Sequence, residues 1–220
     1  MILMMPIVAD LAPAKATLPM LVSARRPEFP YELNGRDEQR FVRIAVTVSP
    51  AGKPIRCLPI VASGRAGVDK AACDAFKVAR FKPATDRDGR ASYGIFAFTL
   101  MYSGYSPDFE GPPSADLTLA VAKMPEGEKE YSTRSAALIV DEAGNARSCD
   151  PVTEGKPSAL DKPLCSVALD RLKFSPALDE QGKPVPSVQG FQVLFTGPGV
   201  GDNLKMPMKR DTTGRHPFGD

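Results

Sequence analysis

The four cysteines of this 220-residue chain form two pairs with identical spacing, and this regularity constrains the fold more than any other feature. Cys57 and Cys73 are 16 residues apart, and so are Cys149 and Cys165. Shifting the chain by 92 residues superposes the two pairs and several other identities. These identities are Gly52 with Gly144, Asp69 with Asp161 and Lys70 with Lys162. Repetition at one fixed offset indicates a duplicated structural unit, so the sequence predicts two copies of one small module.

The local patterns follow the same order in both copies. In the first copy, residues 42–48 alternate at the period of a half-buried strand, and a turn at 49–52 leads into a second strand over 53–61. Apolar residues from 68 to 79 recur at helical spacing, and a third strand covers 93–100. The predicted fold is therefore α+β, with two tandem modules of the order strand, strand, helix, strand. Each module is expected to be a small antiparallel sheet with a helix packed on it.

These patterns divide the chain into five segments. They are an N-terminal extension or remnant signal peptide at 1–25, module 1 at 26–104, a linker at 105–115, module 2 at 116–198 and a flexible tail at 199–220. The start is apolar and precedes Ala12-Pro13-Ala14, a small-x-small signal-peptidase pattern, but it lacks a basic region. Extension and remnant signal peptide both stay open, and either is expected to lie outside the fold. Alternation at Leu117, Leu119 and Val121 predicts that module 2 begins with an extra strand.

The cysteine pairs are best explained as disulfides. Cys57 lies on the second predicted strand and Cys73 on the following helix, so a bridge would tie helix to sheet, and Cys149 with Cys165 would repeat it. A module of under about 90 residues gains from such a staple, which contributes on the order of 3 kcal/mol for a ring of this size. Zinc binding and free thiols are the alternatives, but the C-x(2–4)-C knuckles typical of zinc sites are missing from the sequence. Disulfides persist in oxidising compartments, so this interpretation indicates the periplasm or the exterior of the cell.

Short motifs of the first copy follow the order typical of a known family. They are Phe29-Pro30, Ala51-Gly52, Ala62-Ser63-Gly64, Val68-Asp69-Lys70-Ala71-Ala72, Arg80-Phe81-Lys82-Pro83-Ala84 and Asp88-Gly89. In this order they resemble the TonB C-terminal domain family, over about 26–102. The second copy resembles it less completely, over about 132–196, and lacks the aromatic-Pro start. The paired cysteines are similar to those of a subgroup of such domains in Gram-negative bacteria.

The resemblance implies a non-catalytic protein-interaction module in the periplasm of the Gram-negative envelope. In the members that energise transport, a segment of an outer-membrane receptor adds to the edge of the sheet, so the implied partner is an envelope protein, with such a receptor segment as one candidate. By position, the partner-binding strands carry Tyr93, Ile95, Phe96, Phe98 and Leu100 in the first copy and Phe191, Val193 and Phe195 in the second. The alternative is that the two edges cover each other, since proteins commonly cover or blunt such edges.

Two roles in the envelope follow from the resemblance. Members that transduce energy carry an N-terminal membrane anchor and a long Pro-rich spacer, and this sequence shows neither, its prolines being scattered. The favoured expectation is a soluble periplasmic adaptor. The alternative is a component of TonB-dependent transmembrane transport.

Charge and hydropathy argue against two further classes of protein, nucleic-acid-binding proteins and proteins with a membrane-spanning helix. Lys and Arg number 28 against 26 Asp and Glu, a net charge of +2, which argues against nucleic acid as a partner. An integral membrane span is not expected, because every stretch of roughly 18 residues is interrupted by charged or turn-forming residues. Basic clusters at Arg25-Arg26 and at Lys205 with Lys209-Arg210 leave peptidoglycan, which carries carboxylates, as a candidate ligand.

Catalysis is not expected, and neither is a cofactor. The single histidine, His216, lies in the tail, so a His-based metal site or a Ser-His-Asp triad lacks its parts. Paired carboxylates occur at Asp86 with Asp88 and at Asp179 with Glu180. They flank glycines in matching loops, which favours turn formation over acid-base chemistry.

Overall fold

The computed structural model describes residues 14–28, 41–101, 115–152 and 157–199, and we call residues 41–101 the first half and 115–199 the second half. The strands and helices up to residue 101 are β1 (Met20–Ser23), β2 (Phe41–Val48), β3 (Pro54–Val61), α1 (Ala66–Phe76), β4 (Arg80–Lys82), β5 (Ala84–Thr85) and β6 (Ala91–Met101). Those of the second half are β7 (Leu117–Ala120), β8 (Tyr131–Val140), β9 (Ala146–Val152), α2 (Asp161–Asp170), β10 (Ala177–Leu178), β11 (Pro184–Val185) and β12 (Ser187–Thr196). The α+β class predicted from the sequence is confirmed, and the extra strand before β8 is present as β7.

One continuous sheet runs through both halves. Its order is β3-β2-β6-β12-β8-β9, with β5 paired to β6 and β7 paired to β12. Within each half the pairing of these main strands is antiparallel, as expected. The halves join through a short parallel ladder in which Tyr93, Gly94 and Ile95 face Ser187, Val188 and Gln189. The two sheets therefore lie side by side, joined through the last strand of each half.

The two helices pack on opposite faces of this sheet. Helix α1 packs on the face of β2 that carries Ile44 and Val46, and the β2–β6 register puts Gly94 on that same face. Val188 is paired with Gly94 and so shares this face. Side chains alternate between the two faces of a strand, and Phe191 lies three residues after Val188, so Phe191 points to the other face, where α2 packs. Parallel pairing of the two last strands thus swaps the helix-bearing face between the halves.

In each half, the helix covers one face of the sheet, and residues of the other half cover the opposite face. Ala84 of β5 packs on Ala137 and Val188 of the second half. Ala177, 93 residues later in the chain, packs with Val185 on Ile95 of the first half. The halves are interlocked by these reciprocal contacts, and neither face of the shared region is left bare.

A tight turn with the same geometry recurs in both halves. Gly52 and Gly144 have φ of +74° and +81°, a region that residues with a Cβ rarely adopt. Each glycine carbonyl accepts the backbone N–H that follows the helix, from Phe81 at 3.1 Å and from Phe174 at 2.8 Å. A Cβ on either glycine would lie 2.2 or 2.1 Å from the carbonyl oxygen of that phenylalanine. The turn therefore requires glycine for both conformation and space.

Both predicted disulfides are present. Cys57 pairs with Cys73 and Cys149 with Cys165, and the Cα atoms are 5.6 and 5.5 Å apart. Each bridge joins the strand that precedes the helix of its half, β3 or β9, to that helix. Because all four cysteines are bridged, the free-thiol and zinc alternatives are wrong in this structure.

The segment before residue 26 differs from the expectation that it lies outside the fold. Its described part contains β1, which pairs with β4, and Ala16 is 5% exposed. Thr17 bridges to Thr85, and Leu18 packs on the second half. The apolar start that predicts a leader lies outside the described residues, and it is the residues after it, Ala16 and Leu18, that cover a sheet face. The predicted linker and tail lie outside the described residues, except for residue 115 and residue 199.

Candidate interaction surface

The two strands predicted to bind a partner have different surroundings. Strand β6 pairs with β2 along its length from Gly94 to Met101. On its other side it pairs with β12 only from Tyr93 to Ile95. Within the described residues, the stretch 96–101 has no strand partner on that second side. Although β6 lies between β2 and β12 in the sheet order, β6 and β12 diverge after residue 95. The stretch 96–101 therefore forms an edge that faces the gap between these two strands.

Strand β12 is not an edge, in contrast to the prediction. Strand β8 pairs with it along its whole length, from Ser187 to Thr196. On its other side, β6 pairs with residues 187–189 and β7 with residues 193–196. The three predicted contact residues of β12 are buried at 0% exposure and form core: Phe191, Val193 and Phe195. The sequence analysis identified β7 but not that it adds to β12.

A groove of about 550 Å³ opens where β6 and β12 separate, and we call it the β6 groove. Its first wall is the open stretch of β6, with Phe41 and Arg43 of β2 beside it. Its second wall is formed by Asp116 and by residues 190–192 of β12, and Leu18 and Pro19 of the N-terminal segment also line it. The volume lies within the range of roughly 300–1,000 Å³ that ligand sites occupy.

Of the five residues predicted on β6, Ile95, Phe96 and Phe98 line this groove, whereas Leu100 packs on the core beside α1. Phe98 is 41% exposed and stacks on Phe96 at a centroid distance of 5.8 Å, while Phe76 of α1 lies 6.0 Å from Phe98. Met101 is 56% exposed. Ile95, by contrast, is buried under Ala177, and Tyr93 donates from its hydroxyl to Glu180 Oε2 at 3.3 Å. The exposed apolar surface is thus at the C-terminal end of β6.

An ion pair between the halves borders the groove. Arg43 Nη2 lies 3.0 Å from Asp116 Oδ1, and the side chains are 11% and 3% exposed. The other carboxylate oxygen of Asp116 accepts the N–H of Gln192 at 2.8 Å, and the Asp116 N–H donates to the Gln192 carbonyl at 2.8 Å. Asp116 therefore anchors the start of β7 to β12 and places a negative charge opposite Arg43.

A second ion pair joins the halves away from the groove. Arg87 donates from Nε to Asp150 Oδ2 at 3.0 Å and from Nη2 to Oδ1 at 2.7 Å, and the Ala16 N–H also donates to Oδ2 at 3.1 Å. Burial alone would raise the pKa of the Asp150 carboxyl. The hydrogen bonds and the positive charge of Arg87 outweigh burial, so the pKa lies below its ordinary value of 3.8.

The outer strands of the sheet are blunted by proline. Strand β3 carries Pro54 and Pro59, and β9 carries Pro151. Proline has no N–H to offer an incoming strand, and it is a common protection of edge strands. The stretch 96–101 of β6 contains neither proline nor charge. The residues of the open stretch are therefore the ones suited to receive another strand.

Other candidates from the sequence fall elsewhere. The Oδ1 atoms of Asp86 and Asp179 each accept two backbone N–H groups of their own turns, which confirms turn formation. Arg25 and Arg26 are exposed just after β1, while the tail cluster and His216 lie outside the described residues. Among the residues described, no group of three or more His, Cys, Asp or Glu side chains is arranged to hold a metal. Neither helix in the described ranges has the length and apolar character needed to cross a membrane.

Sequence reasoning missed the four charged residues that join the halves. Arg43 interrupts an apolar strand, and Asp116 immediately precedes the alternating run of β7, but neither pattern identifies a partner. Arg87 and Asp150 are 63 residues apart in the chain. Asp150 lies next to Cys149 on β9, and nothing in that local pattern specifies Arg87 as its partner.

Comparison with known proteins identifies the first half. Residues 25–103 match the family model described as Gram-negative bacterial TonB protein C-terminal. No curated protein and no solved structure matches the chain. The match covers β2, β3, α1 and β6, and so includes both strands of the first wall of the β6 groove, β2 and β6. Residues 25–103 of this chain are therefore similar to the C-terminal domain of the TonB protein of Gram-negative bacteria.

Proposed function

We propose that the protein is a non-catalytic periplasmic adaptor that binds an envelope protein by adding one extended segment of that partner to β6. The observation that carries the proposal is the apolar, proline-free stretch 96–101 of β6, which pairs with β2 on one side only among the described residues. Addition of a strand satisfies the backbone groups on that side and needs no catalytic side chain. This mode agrees with the protein-interaction role of the family.

The side chains of the groove supply the apolar part of the binding energy. An added segment would cover Phe98 and Met101, which are 41% and 56% exposed. Complete burial of side chains of this size contributes roughly 1.5–3 kcal/mol each, and these are already partly buried, so each would contribute less. Specificity would come from the side chains that the groove accepts at alternate positions of the added segment.

The second half is, in this proposal, a diverged copy of the first. Three features recur at offsets of 92 or 93 residues: the disulfide between strand and helix, the glycine turn that accepts a phenylalanine N–H, and the aspartate-capped turn before the last strand. The register of the last strand on the first is the same as well, since Ile44 faces Phe98 and Ala136 faces Phe191.

The compartment is inferred from two observations. Disulfides persist in oxidising environments such as the periplasm, and the chain has two of them. The matched family is one of Gram-negative bacteria. A periplasmic site would place the β6 groove within reach of envelope proteins, including receptors of the outer membrane.

Photo-crosslinking in cells tests this proposal. A photoreactive amino acid at Phe98 reports on the groove, and the same residue at Leu58 is the control, since Leu58 is 49% exposed on the proline-blunted strand β3. We expect a defined envelope protein to be captured from Phe98 and not from Leu58. The variant Ala97→Glu, which places a charge on the exposed edge without touching the core, should abolish this capture. Equal capture from both positions, or capture that survives Ala97→Glu, would contradict the proposal.

The identity of the captured protein decides between the two envelope roles. Capture of an outer-membrane receptor would assign the protein to TonB-dependent transport. Capture of another envelope protein would favour the adaptor role.

A further inference from the structure

Strand β7 covers the edge of the second half whose counterpart in the first half has no strand partner among the described residues. We infer that β7 is a built-in occupant of the second half, so that each chain offers one partner site, and that this remaining site on β6 takes a segment with the chemistry of β7. The inference rests on the proposed function, because it specifies what the β6 groove binds.

Position by position, β6 and β12 are equivalent strands. Phe98 faces Ile44 and Phe191 faces Ala136, and both members of the second pair lie 92 or 93 residues after those of the first. The same offset relates Thr99, Leu100 and Met101 of β6 to Gln192, Val193 and Leu194 of β12. These positions of β12 are the ones that β7 and its preceding residue cover.

Strand β7 makes the contacts that an added strand would make. It runs parallel to β12, with Leu117 opposite Val193 and Leu119 opposite Phe195. Both leucines pack against the core cluster of the second half, which includes Phe191. Asp116 precedes them and binds Gln192 through both its N–H and its carboxylate. Backbone pairing, alternate apolar side chains and an acidic lead residue together define the chemistry of this occupant.

The first half lacks such an occupant among the described residues, and its exposure differs accordingly. Phe98 is 41% exposed where its counterpart Phe191 is 0% exposed. Thr99 and Met101 line the β6 groove, so the positions equivalent to those under β7 are accessible from it. A segment that offers an acidic residue followed by apolar residues at alternate positions would match Thr99–Met101 as residues 116–118 match residues 192–194 of β12.

The test uses a labelled peptide with the sequence of residues 115–122 as the probe. Fluorescence anisotropy should give saturable binding of one peptide per chain, and a crosslinker on the peptide should react with β6. A control peptide with Asp in place of both leucines should bind at least about tenfold more weakly, since two apolar contacts are lost. Absence of peptide binding, or equal binding of the control peptide, would overturn the inference.

A variant of the chain tests whether β7 is the occupant of the second site. The Val121 N–H donates to the Thr196 carbonyl at 2.9 Å, so alternation places the Leu119 N–H on the side of β12 as well. Leu119→Pro removes this N–H together with one of the two leucine contacts. We expect this variant to bind two peptides per chain instead of one. A folded variant that still binds one peptide would overturn the inference. If Leu119→Pro does not fold, crosslinking of the peptide on the unaltered chain decides, because reaction at β12 there would contradict a closed second half.

Failure of this inference and failure of the proposed function give different results. If the probe at Phe98 captures an envelope protein while the peptide does not bind, the β6 groove binds a partner whose segment does not resemble β7. If the peptide binds β6 and the crosslinks from Phe98 and Leu58 do not differ, the edge accepts strands but has no dedicated partner in cells.

Discussion

Phe98 and Phe191 occupy the same register position in the two halves of the sheet, yet Phe98 is 41% exposed and Phe191 is completely buried. The difference accompanies β7, whose leucines join the cluster around Phe191. Phe191 also contacts Phe174 at a centroid distance of 5.7 Å with an edge-to-face angle of 86°. One residue therefore serves the core, while its counterpart keeps part of its ring exposed.

Substitution of these two phenylalanines should have unequal costs. We expect Phe191→Ala to lower the free energy of unfolding by about 3–5 kcal/mol, because a large buried side chain leaves a cavity. Phe98→Ala should cost about 1–2 kcal/mol, since part of its ring is already in water. Urea denaturation with the disulfides intact measures both. Equal losses would show that Phe98 is as buried as Phe191.

The glycine turns predict a second pair of measurements. Gly52→Ala and Gly144→Ala should each lower the free energy of unfolding by roughly 2 kcal/mol or more, from the positive φ and from the clash with the carbonyl oxygen of Phe81 or Phe174. Gly89→Ala is the control, because it has φ of +75° and no atom within 4 Å of the added Cβ. It should cost only about 1 kcal/mol. A loss at Gly89 as large as at Gly52 would contradict the role of the close carbonyl.

The Arg87–Asp150 ion pair predicts a dependence of stability on pH. The pKa of Asp150 in the folded protein lies below 3.8, so its contribution to stability is complete above that value and is lost as pH falls below it. Asp150→Asn should lower the free energy of unfolding at pH 7 by about 1–3 kcal/mol, because charged hydrogen bonds from Arg87 and Ala16 are weakened.

The pH series separates this pair from other carboxylates. The difference between the natural chain and Asp150→Asn should shrink between about pH 4.5 and pH 2.5. Asp74 and Asp141, whose pKa values are lowered to about 2, are present in both proteins and cancel in the comparison. A difference that stays constant over this range would show that the Asp150 charge does not contribute.

Removal of a disulfide should destabilise the protein without abolishing the interlock of the halves. Replacing Cys149 and Cys165 by Ala is expected to cost on the order of 3 kcal/mol, and the same double change at Cys57 and Cys73 should cost a similar amount. Thiol titration of the unfolded, unreduced natural chain should find no reactive cysteine. Detection of free thiols would contradict the two bridges.

The sequence predicted what depends on local periodicity and missed what depends on contacts between distant segments. The alternation around Ile44, the helix stripe at Val68 and Ala72 and the spacing of Cys57 from Cys73 each report on one element or on its neighbour. Helix α1 begins at Ala66, two residues before the apolar stripe that starts at Val68, and the Asp69 side chain accepts the Ser63 N–H at 2.8 Å. Boundaries shift in this way because capping depends on the loop that precedes the helix.

The candidate surface could be predicted only in part for the same reason. The sequence identified β6 and its aromatic residues, because they alternate strongly. It could not decide which edge is covered, since β7 lies more than 70 residues before its partner Val193 in the chain. The Arg43–Asp116 and Arg87–Asp150 pairs are long-range as well, and no local pattern specifies them.

Native-state amide hydrogen exchange, resolved by residue, tests the central claim that β6 offers an open edge and β12 does not. In the protein alone, alternate amides of residues 96–101 should exchange quickly because they face the groove, while the amides of residues 187–189 and 193–196 should be uniformly slow. Uniform protection of residues 96–101, or fast exchange of alternate amides in residues 193–196, would contradict the account.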